Sequence, residues 1–177
     1  MLQFASASTR MLNSTRAMTE CLEAALGPDD TDCDLVVFHA SMGHDFAALA
    51  REAQRLAPSA RVLGSSGCGV VGREGVSESM YDLAVMTVRG ADELAVASVT
   101  QIDGRTSRAQ GAVLGEQLRA ANPDVTMVLF LASGIDIADD ECIAGLESVL
   151  GPEVTIFGAT SADNMQGIAS YQVIDDQ

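Results

Sequence analysis

The feature that most constrains the fold is a pair of similar stretches separated by a constant offset. Leu35–Ser41 (LVVFHAS) resembles Met127–Ser133 (MVLFLAS) at an offset of 92 residues, and Ala5-Ser6 matches Ala97-Ser98 at the same offset. At an offset of 94, Val62-Leu63-Gly64-Ser65-Ser66 matches Ile156-Phe157-Gly158-Ala159-Thr160. An offset that stays at 92, slipping once to 94, across some seventy residues predicts an internal duplication, with one structural unit present twice.

Each copy is predicted to be a βαβαβ unit, the first over about 1–70 and the second over about 94–165. Short runs rich in β-formers predict strands at 2–8, 34–40, 61–64, 94–100, 125–132 and 154–158. Apolar residues at helical spacing predict the four helices between them. They are marked by Met18, Cys21, Leu22 and Ala25; by Phe46, Leu49, Ala50 and Ala53; by Val113, Leu114 and Leu118; and by Ile143, Leu146, Val149 and Leu150. The predicted class is α/β, with mixed sheet layers flanked by helices.

Turn signals refine this prediction. Gly27-Pro28 and Gly151-Pro152 each follow a helical pattern, and both pairs are typical helix stops. Tyr81–Arg89 is predicted to form a strand that folds back on 94–100 as an antiparallel hairpin. Residues 171–174 are predicted to begin a further strand. We therefore expect this sequence, interpreted as one domain over 1–177, to continue into a longer protein.

Charge and composition exclude several classes of function. A formal charge of −15 disfavours binding to nucleic acid or to anionic membrane surfaces. The sequence contains no lysine, which excludes a Schiff-base lysine and a P-loop. We find no secretory signal and no apolar run of the ~20 residues that a membrane span needs. A cytoplasmic protein with four reduced cysteines is therefore expected.

Four loops rich in glycine and hydroxyl residues follow predicted strands. Ligands of α/β proteins bind beyond the carboxyl ends of strands, where such loops expose backbone N–H groups. The four loops predict a site for a small polar molecule. Its candidate residues are Ser41, His44, Gly64, Ser65, Ser66, Cys68, Gly69, Ser133, Asp136, Gly158, Thr160, Ser161, Asp163 and Asn164.

Other chemistries are less well supported by the residues. Residues 67–72 match the GxGxxG dinucleotide pattern, but a Gly-broken segment follows in place of the helix that the pyrophosphate needs. No set of cysteines, histidines or acids has the spacing of a zinc or EF-hand site. Cys68 lies in a glycine loop and could act as a nucleophile with His44, so a thiol enzyme remains an alternative. His39 is interpreted as a strand residue of the core.

Three segments carry a resemblance to a known family. They are Val62–Gly69 (VLGSSGCG), Val128–Phe130 (VLF) and Phe157–Asn164 (FGATSADN). Together with the early DLVVF strand, they resemble the FIST N-terminal domain along nearly the whole chain. Three departures from the family pattern concern Ala159, Ser133 and the position of Cys68.

This resemblance implies a bacterial sensory domain that binds small ligands such as amino acids, without catalysis. It also implies a following C-terminal FIST domain and a link to histidine kinases, cyclic-di-GMP enzymes or chemoreceptors. Some family members carry haem and sense nitric oxide, so His44 or His39 would be an axial ligand in that alternative. A scaffold without a ligand, contacting a signalling partner through its edge strands, is the remaining alternative.

Overall fold

The structure is a computed structural model that describes residues 1–28, 30–73, 75–91, 93–163 and 166–175. It divides into two compact units: unit 1 comprises Met1–Asp92 with Ser161–Gln177, and unit 2 comprises Glu93–Thr160. The elements in chain order are β1 (Gln3–Thr9), α1 (Ser14–Leu26), β2 (Leu35–Ser41), α2 (Phe46–Leu56), β3 (Arg61–Gly67), β4 (Val70–Gly72), β5 (Gly75–Ser77), β6 (Leu83–Arg89), α3 (Ser107–Ala121), β7 (Met127–Ala132), α4 (Asp139–Leu150), β8 (Thr155–Thr160) and β9 (Gln172–Ile174).

Unit 1 contains a five-stranded sheet in the order β1-β6-β2-β3-β9. Strands β2 and β3 are parallel, whereas β6 is antiparallel to both of its neighbours and β9 is antiparallel to β3. The predicted α/β class with a mixed sheet is therefore confirmed. The strand predicted from residue 171 is also confirmed, since β9 covers Gln172–Ile174.

The helices of unit 1 bury the faces that their apolar spacing predicts. Helix α1 begins after Asn13, whose side chain accepts a hydrogen bond from the Arg16 N–H, and it ends before Gly27 at a φ of 104°. A positive φ of this kind favours glycine, which explains the stop. Both helices pack on one core, which contains Met18, Leu22, Phe38, Leu49, Val62 and Leu83.

Unit 2 contains α3, α4 and the parallel pair β7–β8 around a smaller core. Leu118, Val128, Leu146 and Leu150 form its buried centre. Helix α4 ends before Gly151, as predicted. None of the described helices is long and apolar enough to cross a membrane.

The predicted hairpin between Tyr81–Arg89 and 94–100 is wrong. Strand β6 forms, but it pairs with β1 on one side and β2 on the other, so neither of its edges is open to residues 94–100. Residues 94–100 form no strand in the structure. The prediction chose the nearest partner along the chain, whereas the sheet is completed by partners distant in sequence.

The two units nevertheless share several local features. Each parallel pair sets a phenylalanine opposite a glycine: Phe38 pairs with Gly64 in β2–β3, and Phe130 pairs with Gly158 in β7–β8. The described element order of unit 2, α-β-α-β, repeats that of α1 to β3. The duplication itself stays a prediction, whereas the strand predicted at 94–100 is wrong.

Candidate functional site

Polar side chains lie side by side on one face of the sheet, near the carboxyl ends of β2 and β3. Side chains two apart in a strand share a face, so His39 and Ser41 lie together, opposite to the core residue Phe38. The parallel register sets Ser65 beside His39 and Gly67 beside Ser41. We name His39, Ser41 and Ser65 the polar triplet.

A short hydrogen bond joins two members of the triplet. The His39 Nδ1 and the Ser65 Oγ are 2.6 Å apart. Ser65 is buried, and burial lowers the pKa of His39. The His39 imidazole is half-buried and its pKa is lowered, so it is neutral near pH 7 and can donate one hydrogen bond and accept another.

The third member, Ser41, has a buried hydroxyl to which no described residue forms a hydrogen bond. Its side chain is fully buried, and its Oγ has no partner among the described residues. The backbone of Ser41 is fixed, because its N–H donates to the Asp82 carbonyl and its carbonyl accepts from the His44 N–H. A buried hydroxyl with an unused donor is uncommon in proteins and needs an explanation.

His44 connects three segments next to Ser41. Its Nε2 lies 3.0 Å from the Tyr81 carbonyl oxygen and its Nδ1 lies 3.1 Å from the Ser14 Oγ. The carbonyl only accepts, so Nε2 carries the proton and Nδ1 accepts from the Ser14 hydroxyl. Burial lowers the pKa of His44, against the opposing effects of the Tyr81 carbonyl and the Asp82 charge.

Residues that follow β8 fold onto the end of β3 and bring three predicted site residues together. The Ala162 N–H donates to the Ser66 carbonyl, and the Tyr171 N–H donates to the Ser66 Oγ at 3.0 Å. Ser161 contacts the Gln172 amide. The Asp163 carboxylate accepts four backbone N–H groups, at 2.5–3.0 Å, from Gln166, Gly167, Ile168 and Ala169.

We expect Asp163→Asn to loosen the loop at 166–169. An asparagine offers one acceptor oxygen where the carboxylate offers two, and its NH₂ group would face backbone N–H groups. These hydrogen bonds lower the pKa of Asp163 below its ordinary value of 3.8. The carboxylate therefore stabilises the loop fully above pH 3.8, and this stabilisation is lost as the pH falls through the lower pKa of the folded protein. Amide exchange at 166–169 should accelerate in the variant, while exchange in α1 stays unchanged. Unchanged exchange at 166–169 would show that the carboxylate does not hold the loop.

Packing accounts for two predicted site glycines in unit 1. A Cβ on Gly64 would lie 2.2 Å from the ring of Phe38, and a Cβ on Gly69 would lie 2.5 Å from the Ser77 carbonyl oxygen. Cys68, between β3 and β4, is exposed and its thiol is free. The segment after Gly69 forms the β4–β5 hairpin instead of the helix that a dinucleotide's pyrophosphate needs.

The remaining predicted site residues belong to unit 2 or lie outside the described residues. The Ser133 Oγ bonds to the backbone of Ile135, and Asp136 has a φ of 58°. Gly158 lies against the backbone of Phe130, where a Cβ would be 1.8 Å from the carbonyl oxygen, and Thr160 ends β8. Asn164 lies outside the residues that the structure describes.

A family model for the FIST N domain matches residues 34–177. The chain belongs to the FIST N domain family. FIST domains are sensory domains of signal-transduction proteins. No curated protein and no solved structure matches the chain.

The matched range of the FIST N domain includes the whole polar triplet. It begins just before β2 and continues through β9, so β1, α1 and the Ser14 contact to His44 lie outside it. Within the described residues, no group of three or more histidines, cysteines or acids could hold a metal ion.

His44 does not fit the role of a haem ligand in this FIST N domain. Both of its ring nitrogens are engaged, by Ser14 and by the Tyr81 carbonyl, and its side chain is only 6% exposed. An axial nitrogen needs a free lone pair directed at the iron. The same two contacts leave His44 no nitrogen with which to activate Cys68.

Two contributors to the site were missed by reasoning from the sequence. His39 was assigned to the core, and Ser14 was not considered. A period-two count from Ser41 places His39 on the same face, and the matched runs VVFHAS and VLGSSG set it beside Ser65. The contact of Ser14 with His44, across 30 positions, has no sequence signal that we can identify.

Proposed function

We propose that this FIST N domain is a sensory domain that binds a small polar metabolite, similar to an amino acid, beside the polar triplet. The observation that carries the proposal is the Ser41 hydroxyl, which is fully buried and has no hydrogen-bond partner among the described residues. An unmatched buried hydroxyl costs about 1–3 kcal/mol. A ligand that accepts its hydrogen bond would recover that cost on binding.

The neighbours of Ser41 support a ligand that both donates and accepts hydrogen bonds. The neutral His39–Ser65 pair offers both functions, and Gly67 leaves the place beside Ser41 without a side chain. Ammonium and carboxylate groups of an amino acid carry the matching donors and acceptors. Since the chain carries a charge of −15, a ligand with a compensating ammonium group is favoured over a simple anion.

Binding at Ser41 has a route to the helices of unit 1. The Ser41 carbonyl holds the His44 N–H, and His44 contacts Ser14 at the first turn of α1. Asp45, which caps α2, donates its N–H to the same Ser14 Oγ at 2.9 Å. A ligand that prefers one arrangement of this network would shift the population of helix positions, which is the physical requirement for a sensor.

We extend the proposal to the setting of the domain. A bacterial cytoplasm fits the four free thiols and the acidic composition. The output would pass to a C-terminal FIST domain and then to a histidine kinase, a cyclic-di-GMP enzyme or a chemoreceptor. No catalytic step is proposed, and neither the haem nor the thiol alternative gains a specific observation.

We expect Ser41→Ala to stabilise the ligand-free protein while it weakens ligand binding. Removing an unmatched buried hydroxyl should raise the free energy of unfolding by about 1 kcal/mol, which corresponds to about 2–4 °C in Tm for a chain of this length. Thermal-shift assays with the twenty amino acids at millimolar concentration measure both effects. The ligand-induced shift should fall in the variant even though its own Tm rises.

The matched control is Ser65→Ala, which removes a hydroxyl that does have a partner. This variant breaks the contact with His39 and should lower the Tm. A ligand that shifts the wild-type Tm and the Ser41→Ala Tm equally would place binding elsewhere. A wild-type chain stabilised by none of the amino acids would count against the proposed ligand class.

A further inference from the structure

A buried carboxylate lies directly beside Ser41. Asp82 immediately precedes β6, and its side chain is 1% exposed. The Ser41 N–H donates to the Asp82 carbonyl at 2.9 Å, which continues by one position the antiparallel register that pairs Ala40 with Leu83. We propose that the Asp82 carboxylate binds the ammonium group of the ligand and makes the site selective for amino acids over the same molecules without that group. This inference rests on the function proposed above, because it assigns a residue to the same site.

The register places Asp82 and Ser41 on the same face of the sheet. Ala40 and Leu83 both belong to the core on which α1 and α2 pack. Successive residues of a strand point to opposite faces, so Ser41 and Asp82 turn away from that core, to the face of the polar triplet. Side chains directly opposite each other in an antiparallel pair have Cβ atoms about 4.5–5.5 Å apart, so one small molecule can contact both.

The carboxylate of Asp82 is incompletely paired for a buried charge. Its Oδ1 accepts from the Ser77 hydroxyl at 2.7 Å and its Oδ2 accepts from the Ser79 N–H at 2.5 Å, and both donors are neutral. Among the described residues its ion pair is with Arg10, whose Nε lies 3.5 Å from Oδ1 and whose side chain is 68% exposed. A carboxylate has about four acceptor positions, and a buried charge is costly unless it is closely paired and hydrogen-bonded. Asp82 therefore retains positions for a second cationic donor.

An amino acid carries the two groups that this arrangement accepts. Its ammonium group has N–H donors and a positive charge, and hydrogen bonds between ionised groups are stronger than neutral ones. Its carboxylate, on the same carbon atom, accepts hydrogen bonds, and the Ser41 hydroxyl has no partner among the described residues. With the ammonium group on Asp82, the carboxylate reaches the neighbouring strand at Ser41. A 2-hydroxy acid presents the same carboxylate but leaves Asp82 without the second cation.

The Asp82 carboxylate also holds the turn before β6, through its bonds with Ser77 and Ser79. A residue with that role alone would affect stability but would not distinguish an amino acid from its 2-hydroxy analogue. The quantity to measure is therefore a ratio, the affinity for an amino acid divided by the affinity for the 2-hydroxy acid with the same side chain. Contacts with the carboxylate and with the side chain cancel in this ratio, which leaves the contribution of the ammonium group.

Thermal-shift titrations of the chain with the twenty amino acids identify those that raise the Tm, and titrations with the corresponding 2-hydroxy acids then give the ratio. The wild-type ratio should be at least about tenfold, as expected for a hydrogen bond between charged groups. Asp82→Asn keeps an acceptor for the Ser77 hydroxyl and removes the charge, so its ratio should fall to about one.

Arg10→Gln gives a second test, at a side chain that is mostly exposed. It removes the cation that competes for Oδ1 of Asp82, so the ratio should rise by up to about fivefold, the range of exposed ion pairs. The matched control is Arg51→Gln, the same change at an exposed position of α2, which packs on the opposite face. The ratio of this control should equal that of the wild type.

The inference and the proposed function fail in different ways. If no amino acid raises the wild-type Tm, the proposed function is wrong and the role of Asp82 is wrong with it. If amino acids and their 2-hydroxy analogues bind equally well, or a folded Asp82→Asn protein keeps the wild-type ratio, only the role of Asp82 is wrong. If Asp82→Asn does not fold, an Arg10→Gln ratio equal to the wild-type ratio overturns that role, because the carboxylate then does not contact the ammonium group.

Discussion

Gly145→Ala should lower the free energy of unfolding by about 3 kcal/mol, although alanine is the better helix former. In an exposed helix this change gains up to about 1 kcal/mol. At Gly145 the new Cβ would lie 2.1 Å from the Arg108 carbonyl oxygen and 2.8 Å from the Ala112 backbone nitrogen, both in α3. Because the clashing atoms are backbone, α3 and α4 must move apart, and such overpacking is costly.

A matched glycine controls for the change in backbone entropy. Gly104 precedes α3, and a Cβ there would meet nothing within 4 Å. Gly104→Ala should therefore leave stability unchanged or raise it slightly. Urea denaturation followed by circular dichroism measures both variants. A Gly145→Ala protein as stable as the wild type would mean that the two helices do not approach this closely.

The glycine contact also explains where periodicity misjudged α3. The sequence predicted a buried face of Val113, Leu114 and Leu118. Leu118 is buried, but Val113 is 37% exposed, and the inner positions of α3 include Gly111 and Gly115. Hydrophobic periodicity detects large apolar residues, whereas here the absence of side chains lets two backbones touch.

Local signals predicted the four helices and most of the strands, but the strand predicted at 94–100 does not form, and β4 and β5 were not predicted. The predicted strand pairing also failed. Strand β2 begins within one residue of its predicted start, and both glycine stops mark helix ends. The order of the strands could not be obtained in this way. Strand β6 lies between β1 and β2 in the sheet. Which strands pair depends on burial across the whole sheet, whereas turn residues indicate only how segments adjacent in sequence are connected.

The sequence predicted where several of the site residues lie, but it did not predict which of their side chains form hydrogen bonds with one another. Ser41, Ser65 and Ser66 were identified because they were predicted to follow strands in glycine-rich loops. That prediction was wrong in detail, since Ser41 ends β2 and the other two serines lie within β3. The hydrogen bond between Ser65 and His39 depends on the register of two strands. Whether any described polar group lies within hydrogen-bond distance of the Ser41 hydroxyl depends on the packing around it. Neither property is encoded in a short motif.

Lowering the pH from 7.5 to 5.5 should destabilise the protein through its two histidines. Burial lowers the pKa of His39 and of His44 below the ordinary value of 6.5. Below pH 6.5 the unfolded chain therefore binds protons that the folded chain does not, so stability falls as the pH falls towards the folded values. Each histidine contributes up to about 1.4 kcal/mol per pH unit in this range.

Single variants separate the two histidines in urea denaturation at several pH values. His39→Gln should flatten the pH dependence more than His44→Gln, because the Tyr81 carbonyl and the Asp82 charge partly oppose the lowering at His44 while burial acts alone at His39. Carboxylates with lowered pKa values, such as Asp103 at about 2, titrate far below this range, whereas burial and the Asp140 charge raise the pKa of Asp139 towards it. If stability were flat between pH 7.5 and 5.5, each histidine would have the same pKa in the folded and unfolded chains, and the polar triplet could not hold a neutral imidazole by burial.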